Sequence, residues 1–174
     1  FDLLYKRDGL ILVICNGFQA LVKLGLLPYG KIEAQTPWSP TLTFNNINKH
    51  VSVISRIRVS SNLSPWLSGV KVGDVFNVPI SHGEGRFVAS VEELTKLAEN
   101  GQIATQYVDL CDNVTMLSPY NPNGSMLAIE GITSPDGRIF GKMGHAERTG
   151  KHLYKNVEGE YDMKIFESGV NYFL

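Results

Sequence analysis

Cys15 closes the continuous apolar run Leu10-Ile11-Leu12-Val13-Ile14, and Asn16-Gly17 follows it at once. Phe18, Leu21 and Val22 then recur at helical spacing, with Gly25 as a helix stop before Pro28. Strand, tight turn, thiol and helix in that order have the outline of a nucleophile elbow, whose turn lifts the side chain to where a substrate can reach it. A helix N-terminus beneath the sulfur favours the thiolate, so the position predicts a lowered thiol pKa. The amide of Asn16 is placed to donate to a developing oxyanion, and Gly17 leaves room for close approach. A buried structural cysteine at a strand end fits the same position.

A cysteine nucleophile needs a base, and the base needs an orienting group. His145-Ala146-Glu147 follows the apolar strand pattern Ile139–Met143 and offers both, although His-x-Glu alone is common. Active sites of open α/β sheets lie beyond the carboxyl ends of strands, where Cys15 and His145 both fall. A third cluster, Ser81-His82-Gly83-Glu84-Gly85-Arg86-Phe87, follows the strand pattern Val75–Ile80. Its glycines around His82, Glu84 and Arg86 suggest a tight polar loop, or a loop held by its own ion pair. His82, Glu84, His145 and Glu147 show no metal-ligand spacing on one element, so no metal is expected. Asn121-Pro122-Asn123-Gly124-Ser125 reads as turn chemistry. Trp38 and Trp66 read as packing residues, Cys111 as structural, and His50 and His152 as solvated.

The elements that must carry these groups alternate in type. Val51–Ile54 and Ile57–Val59 read as strands. Ser90 caps a helix, with Glu93 three residues on and Val91, Leu94, Leu97 and Ala98 forming one face, and Asn100-Gly101 ends it. Residues 102–110 return to a strand. Met126–Ile132 and Arg138–Met143 flank Ser134-Pro135-Asp136-Gly137, a strong hairpin signal. The tail from Lys151 is expected to pack onto the domain. Buried strands mixed with helices make the class α/β.

The chain has 174 residues and a formal net charge of −1, with 43% hydrophobic and 19% charged residues. Disorder and coiled coils are excluded by that balance, and it gives no footprint for nucleic acid or an anionic membrane. No apolar run approaches the roughly 18 residues of a membrane span. Two cysteines cannot make a disulfide framework, which suits a reducing compartment, and a cytoplasmic location is expected.

Taken together, Ile14-Cys15-Asn16-Gly17-Phe18-Gln19 with Leu24-Gly25-Leu26-Leu27-Pro28 resembles the nucleophile segment of class I (triad-type) glutamine amidotransferases. Segments 79–87, 121–125 and Met143-Gly144-His145-Ala146-Glu147-Arg148 extend the likeness, in order, to the phosphoribosylformylglycinamidine synthase branch of purine biosynthesis. The resemblance runs from about Asp8 to Arg148. It implies a flavodoxin-like amidotransferase sheet with flanking helices. Cys15 then matches the nucleophile, His145 the base and Glu147 the group that orients it, with Asn16, Gln19, His82, Glu84 and Arg86 as substrate-binding residues. Glutamine would be hydrolysed through a cysteine thioester, and the ammonia would pass to a synthetase domain of the same enzyme. The resemblance implies no cofactor in this domain; ATP and magnesium belong to the synthetase part. Another cysteine hydrolase of the superfamily, or a docking domain that keeps only the fold, remain the alternatives.

Two positions depart from the family pattern: Val13 replaces a glycine, and Gly144-His145-Ala146 replaces Pro-His-Pro. The family also has about three strands and a glycine-rich loop before the nucleophile strand, and that loop supplies a second oxyanion donor. Residues 1–174 are therefore expected to be the C-terminal part of a glutaminase domain, a weak glutaminase alone that associates through an exposed sheet edge.

Overall fold

The computed structural model describes residues 2–174. Eight strands and four helices run in the order β1 (Ile11–Ile14), α1 (Asn16–Lys23), α2 (Leu26–Tyr29), β2 (Thr41–Phe44), β3 (Val51–Val59), β4 (Val75–His82), β5 (Glu84–Val88), α3 (Val91–Glu99), β6 (Ile103–Tyr107), β7 (Ile129–Thr133), β8 (Ile139–Lys142) and α4 (Ile165–Asn171). The main sheet has the order β1-β8-β7-β6-β3-β4, and β2 pairs with β5 in a separate ribbon. Only β1 and β8 are parallel; the other neighbours are antiparallel.

Successive side chains of a strand point to opposite faces, and here both faces are covered. Ile139 and Ile103 join the core formed with Phe18, Leu27, Phe87 and Leu97, on the side of α1, α2, α3 and the β2–β5 ribbon. Their neighbours Phe140 and Ala104 join a second core with Ile57, Val78, Tyr107 and Ile165. This two-faced burial explains why β7 and β8 read as continuous apolar runs.

Several expectations change. β1, whose continuous apolar run fits a strand buried on both faces, is instead a half-buried edge strand. The two strands read over residues 51–59 are one, and β2 was not signalled at all. The strand read over residues 102–110 is Ile103–Tyr107. Ser90 does cap α3, accepting from the Glu93 amide at 3.2 Å. Val91 is nonetheless 71% exposed and Ala98 is exposed, so only Leu94 and Leu97 face the core. Trp38 is 76% exposed, whereas half-buried Trp66 donates to the Ile11 carbonyl at 3.1 Å and stacks under Gly169. Cys111 is an exposed free thiol. The β7–β8 hairpin forms as read, with Gly137 at φ 72°. Met163 and Ile165 anchor the tail to the second core.

Candidate active site

Cys15 sits between the end of β1 and the start of α1 at φ 55°, ψ −111°. A non-glycine residue is rarely held there, and such strain marks an elbow that tertiary contacts enforce. The Cys15 amide donates to the Lys142 carbonyl at 2.8 Å, while the Phe18 and Gln19 amides close the first helical turn on the Cys15 carbonyl. A Cβ on Gly17 would lie 3.1 Å from Val13 Cβ, so the space left by Gly17 is taken by Val13, and strand and helix meet closely there.

The thiol is half-buried and points to the Ser81 carbonyl at 4.0 Å. Burial pushes its pKa up, which reverses the expected lowering. The Asn16 amide aimed at the sulfur and the Arg148 charge pull the other way more weakly. At neutral pH this sulfur therefore needs a base to remove its proton.

His145 follows β8. Its own amide donates to the Pro79 carbonyl at 2.8 Å, and its ring Nδ1 lies 2.6 Å from Glu147 Oε1. A carboxylate on Nδ1 fixes the tautomer and leaves Nε2 to accept a proton. Cys15, Asn16, Gln19, His82, Glu84, His145 and Arg148 all line one cavity of about 550 Å³.

The far wall is a buried polar lattice. Asn45 Nδ2 donates to the carbonyls of Lys49 and His82, so Asn45 Oδ1 is the acceptor for His82 Nδ1–H and the Gly85 amide, at 3.2 Å each. His82 thereby carries its proton on Nδ1, and its buried Nε2 has no protein partner. Burial holds the His82 pKa down at about 4, so the ring is neutral at physiological pH. A Cβ on Gly85 would fall 2.4 Å from the His82 ring, which favours glycine at that position of β5. Gln19 donates to the Glu84 carbonyl and ties α1 to this wall.

Arg86 does not line the cavity; it donates to the Gly124 carbonyl at 3.2 Å. The loop 121–125, read only as a turn, clamps β5 from within. Asn123 donates to the Gly85 carbonyl at 2.7 Å, and Ser125 Oγ accepts from the Phe87 amide at 3.0 Å. No group of three metal-binding side chains occurs among the described residues.

This pairing of a cysteine elbow with a Glu-oriented histidine is accompanied by a match of residues 1–173 to the CobB/CobQ-like glutamine amidotransferase domain. The chain belongs to that amidotransferase family. It is 36% identical over 154 residues to phosphoribosylformylglycinamidine synthase subunit PurQ of Aquifex aeolicus, which covers 88% of this chain and 62% of that protein. With the PurQ subunit of Chlorobaculum parvum it shares 37% identity over 158 residues, 91% of this chain and 56% of that protein. The chain thus spans about three-fifths of the length of these relatives. A chain in the structure of PurLQS from Thermotoga maritima superposes with a TM-score of 0.71 at 29% identity, over 97% of this chain and 64% of that one. The flavodoxin-like amidotransferase sheet with flanking helices is its architecture.

Three features of this amidotransferase site escaped the sequence. Asn45 lies in a segment of Asn and Ser residues that gives no local cue. Arg148 was visible only as a neighbour of Glu147. Glu130 and Lys142 sit in runs read as apolar, yet pair at 2.9 Å with neither side chain exposed. Their alternation with small residues, Gly131 and Gly141, is the one signal that could have flagged them.

Proposed function

We propose that this chain is the glutaminase part of phosphoribosylformylglycinamidine synthase, releasing ammonia from glutamine for an ATP-dependent amidation at a separate synthetase site. The observation that carries the reading is the strained Cys15 elbow lining the same cavity as His145, whose ring is held by Glu147. The PurQ relatives are named as subunits of phosphoribosylformylglycinamidine synthase, which supports that enzyme and a synthetase partner.

In this mechanism His145 Nε2 takes the thiol proton as Cys15 attacks the side-chain carbonyl of glutamine. The oxyanion forms beside the Asn16 amide. His145 returns the proton to the leaving nitrogen, ammonia departs, and a glutamyl thioester remains on Cys15. Water then attacks the thioester, with His145 accepting its proton and handing it to the sulfur, so that glutamate leaves and the thiol is restored. Glu147 holds the imidazole and stabilises its charged form. Gln19, Glu84 and His82 line the side of the cavity where the substrate binds. Arg86 acts through the loop 121–125 rather than on the substrate. ATP and magnesium act in the synthetase part, and the protein works in the cytoplasm. No helix among the described residues is long and apolar enough to cross a membrane.

The test is to mix the native protein with glutamine, quench in acid and look for a glutamyl group on the Cys15 peptide. The account expects that adduct, and its conversion to glutamyl hydroxamate by hydroxylamine. Glutamate release without any adduct in wild type or in His145→Ala would overturn the covalent route.

A further inference from the structure

A buried ion pair is weak evidence for stability, since well-packed apolar residues often serve as well in its place. Glu130 on β7 and Lys142 at the end of β8 therefore call for another reason. Both are 0% exposed, with Lys142 Nζ 2.9 Å from Glu130 Oε1. Neither belongs to the chemistry described above.

Their remaining bonds converge on the residue before the base. The Gly144 amide donates to Glu130 Oε1 at 2.5 Å, and Lys142 Nζ donates to the Gly144 carbonyl at 2.9 Å. Both backbone polar groups of Gly144 are thus held by one pair of side chains. Thr105 Oγ1 holds the other carboxylate oxygen at 2.5 Å, and the Glu130 carbonyl accepts the Met143 amide at 3.0 Å. A Cβ on Gly144 would lie 2.8 Å from Glu130 Oε1, so glycine admits the carboxylate. Lys142 also reaches the nucleophile, because its own carbonyl accepts the Cys15 amide at 2.8 Å.

We propose that Glu130 and Lys142 are positioning residues that set the spacing between Cys15 and His145, by locking the Gly144 peptide that leads into the base. The proposal rests on the glutaminase reading for its kinetic consequences and on geometry alone for its structural ones. Lys142 touches the nucleophile through its backbone and the base through its side chain, so the pair links the two halves of the site. A misplacement of about 1 Å between reacting groups can cost on the order of 100-fold in rate.

Two neutral double variants of the native protein, both in a Cys111→Ser background, separate this role from charge and packing. Glu130→Leu/Lys142→Met removes both anchors of Gly144 and should lower glutaminase kcat by about 100-fold with KM for glutamine unchanged. Glu130→Gln/Lys142→Met keeps an acceptor for the Gly144 amide and should lose only about tenfold, the worth of one hydrogen bond. The second readout is the rate at which iodoacetamide alkylates Cys15 at pH 7, which needs no turnover. That rate should fall to the His145→Ala level in the Leu/Met variant and stay above it in the Gln/Met variant. If the Leu/Met protein does not fold, the tenfold loss at unchanged KM in the Gln/Met protein decides alone. Wild-type kcat and alkylation in either folded variant, equal losses in both, or a change confined to KM would overturn the proposal. Failure of wild type to release glutamate would sink the functional reading, while the alkylation rates would still decide the positioning.

Discussion

Cys15 and His145 reach the same cavity by opposite means. Cys15 is held by backbone strain at the end of an edge strand, half-buried, with its sulfur 4.0 Å from the Ser81 carbonyl. His145 is held by neighbours: the Pro79 carbonyl on its amide, Glu147 on its ring and a buried ion pair on the preceding peptide. Strain concentrates where a side chain must be offered to a substrate, and hydrogen bonds concentrate where a side chain must not move. Substitutions in the two regions should therefore fail differently, one in chemistry and the other in chemistry and folding together.

The largest effect is expected at the base. His145→Ala should cost about 100- to 10,000-fold in glutaminase kcat, the span of general base catalysis. Glu147→Gln should cost less, because the carboxylate orients and stabilises the imidazole without moving the proton from sulfur. Steady-state rates with glutamine measure both, and equal losses would remove the distinction between mover and holder. Cys15 alkylation in His145→Ala should be slow at pH 7 and approach the wild-type rate at high pH, because burial keeps the thiol protonated until solvent hydroxide removes the proton.

Next comes the support beneath the base. Lys142→Ala alone leaves the Glu130 carboxylate buried without its counter-charge, and should destabilise the protein by about 3 to 5 kcal/mol in urea unfolding. A loss below 1 kcal/mol would mean that this region is not held as described.

His82 gives an effect of similar kind with a pH signature. Its folded pKa of about 4 lies below the ordinary histidine value of 6.5, so the unfolded chain binds the proton first as pH falls. Stability from this group is present above pH 6.5 and is lost between there and pH 4, on the order of 3 kcal/mol in all. His82→Gln should flatten that part of the stability curve, and an unaltered slope between pH 6.5 and 4 would contradict the assignment.

The smallest effect, opposite in sign, belongs to the elbow. Cys15→Gly relieves a positive φ and should raise unfolding stability by about 1 kcal/mol while abolishing turnover. No change in stability would show that the elbow stores no strain.

The same contrast explains what the sequence could reveal. The elbow is local: five apolar residues, Cys15, Asn16-Gly17 and a helical pattern are consecutive, so its shape follows from turn chemistry. His145 and Glu147 are two apart and equally visible. The hairpin was legible because Asp136-Gly137 marks its turn. The supports were not. Asn45 and His82 are 37 residues apart and meet only because β2 and β5 pair across the front of the main sheet. Glu130 and Lys142 are brought together by the β7–β8 register, in which Gly131 faces Lys142. The thiol pKa was misjudged for a related reason: the helix N-terminus is a sequence-level feature, whereas burial of the sulfur depends on the whole cavity.

The most direct test of the account uses the native protein assembled with the synthetase partner proposed for it. Cys15→Ala should abolish synthesis supported by glutamine, by more than about 1,000-fold given the cost of losing a covalent nucleophile. Synthesis supported by ammonium salts should stay at the wild-type rate, because in the proposed division of labour ammonia enters at a separate site. Equal loss of both activities would contradict the account, as would glutamine-dependent synthesis that survives the substitution.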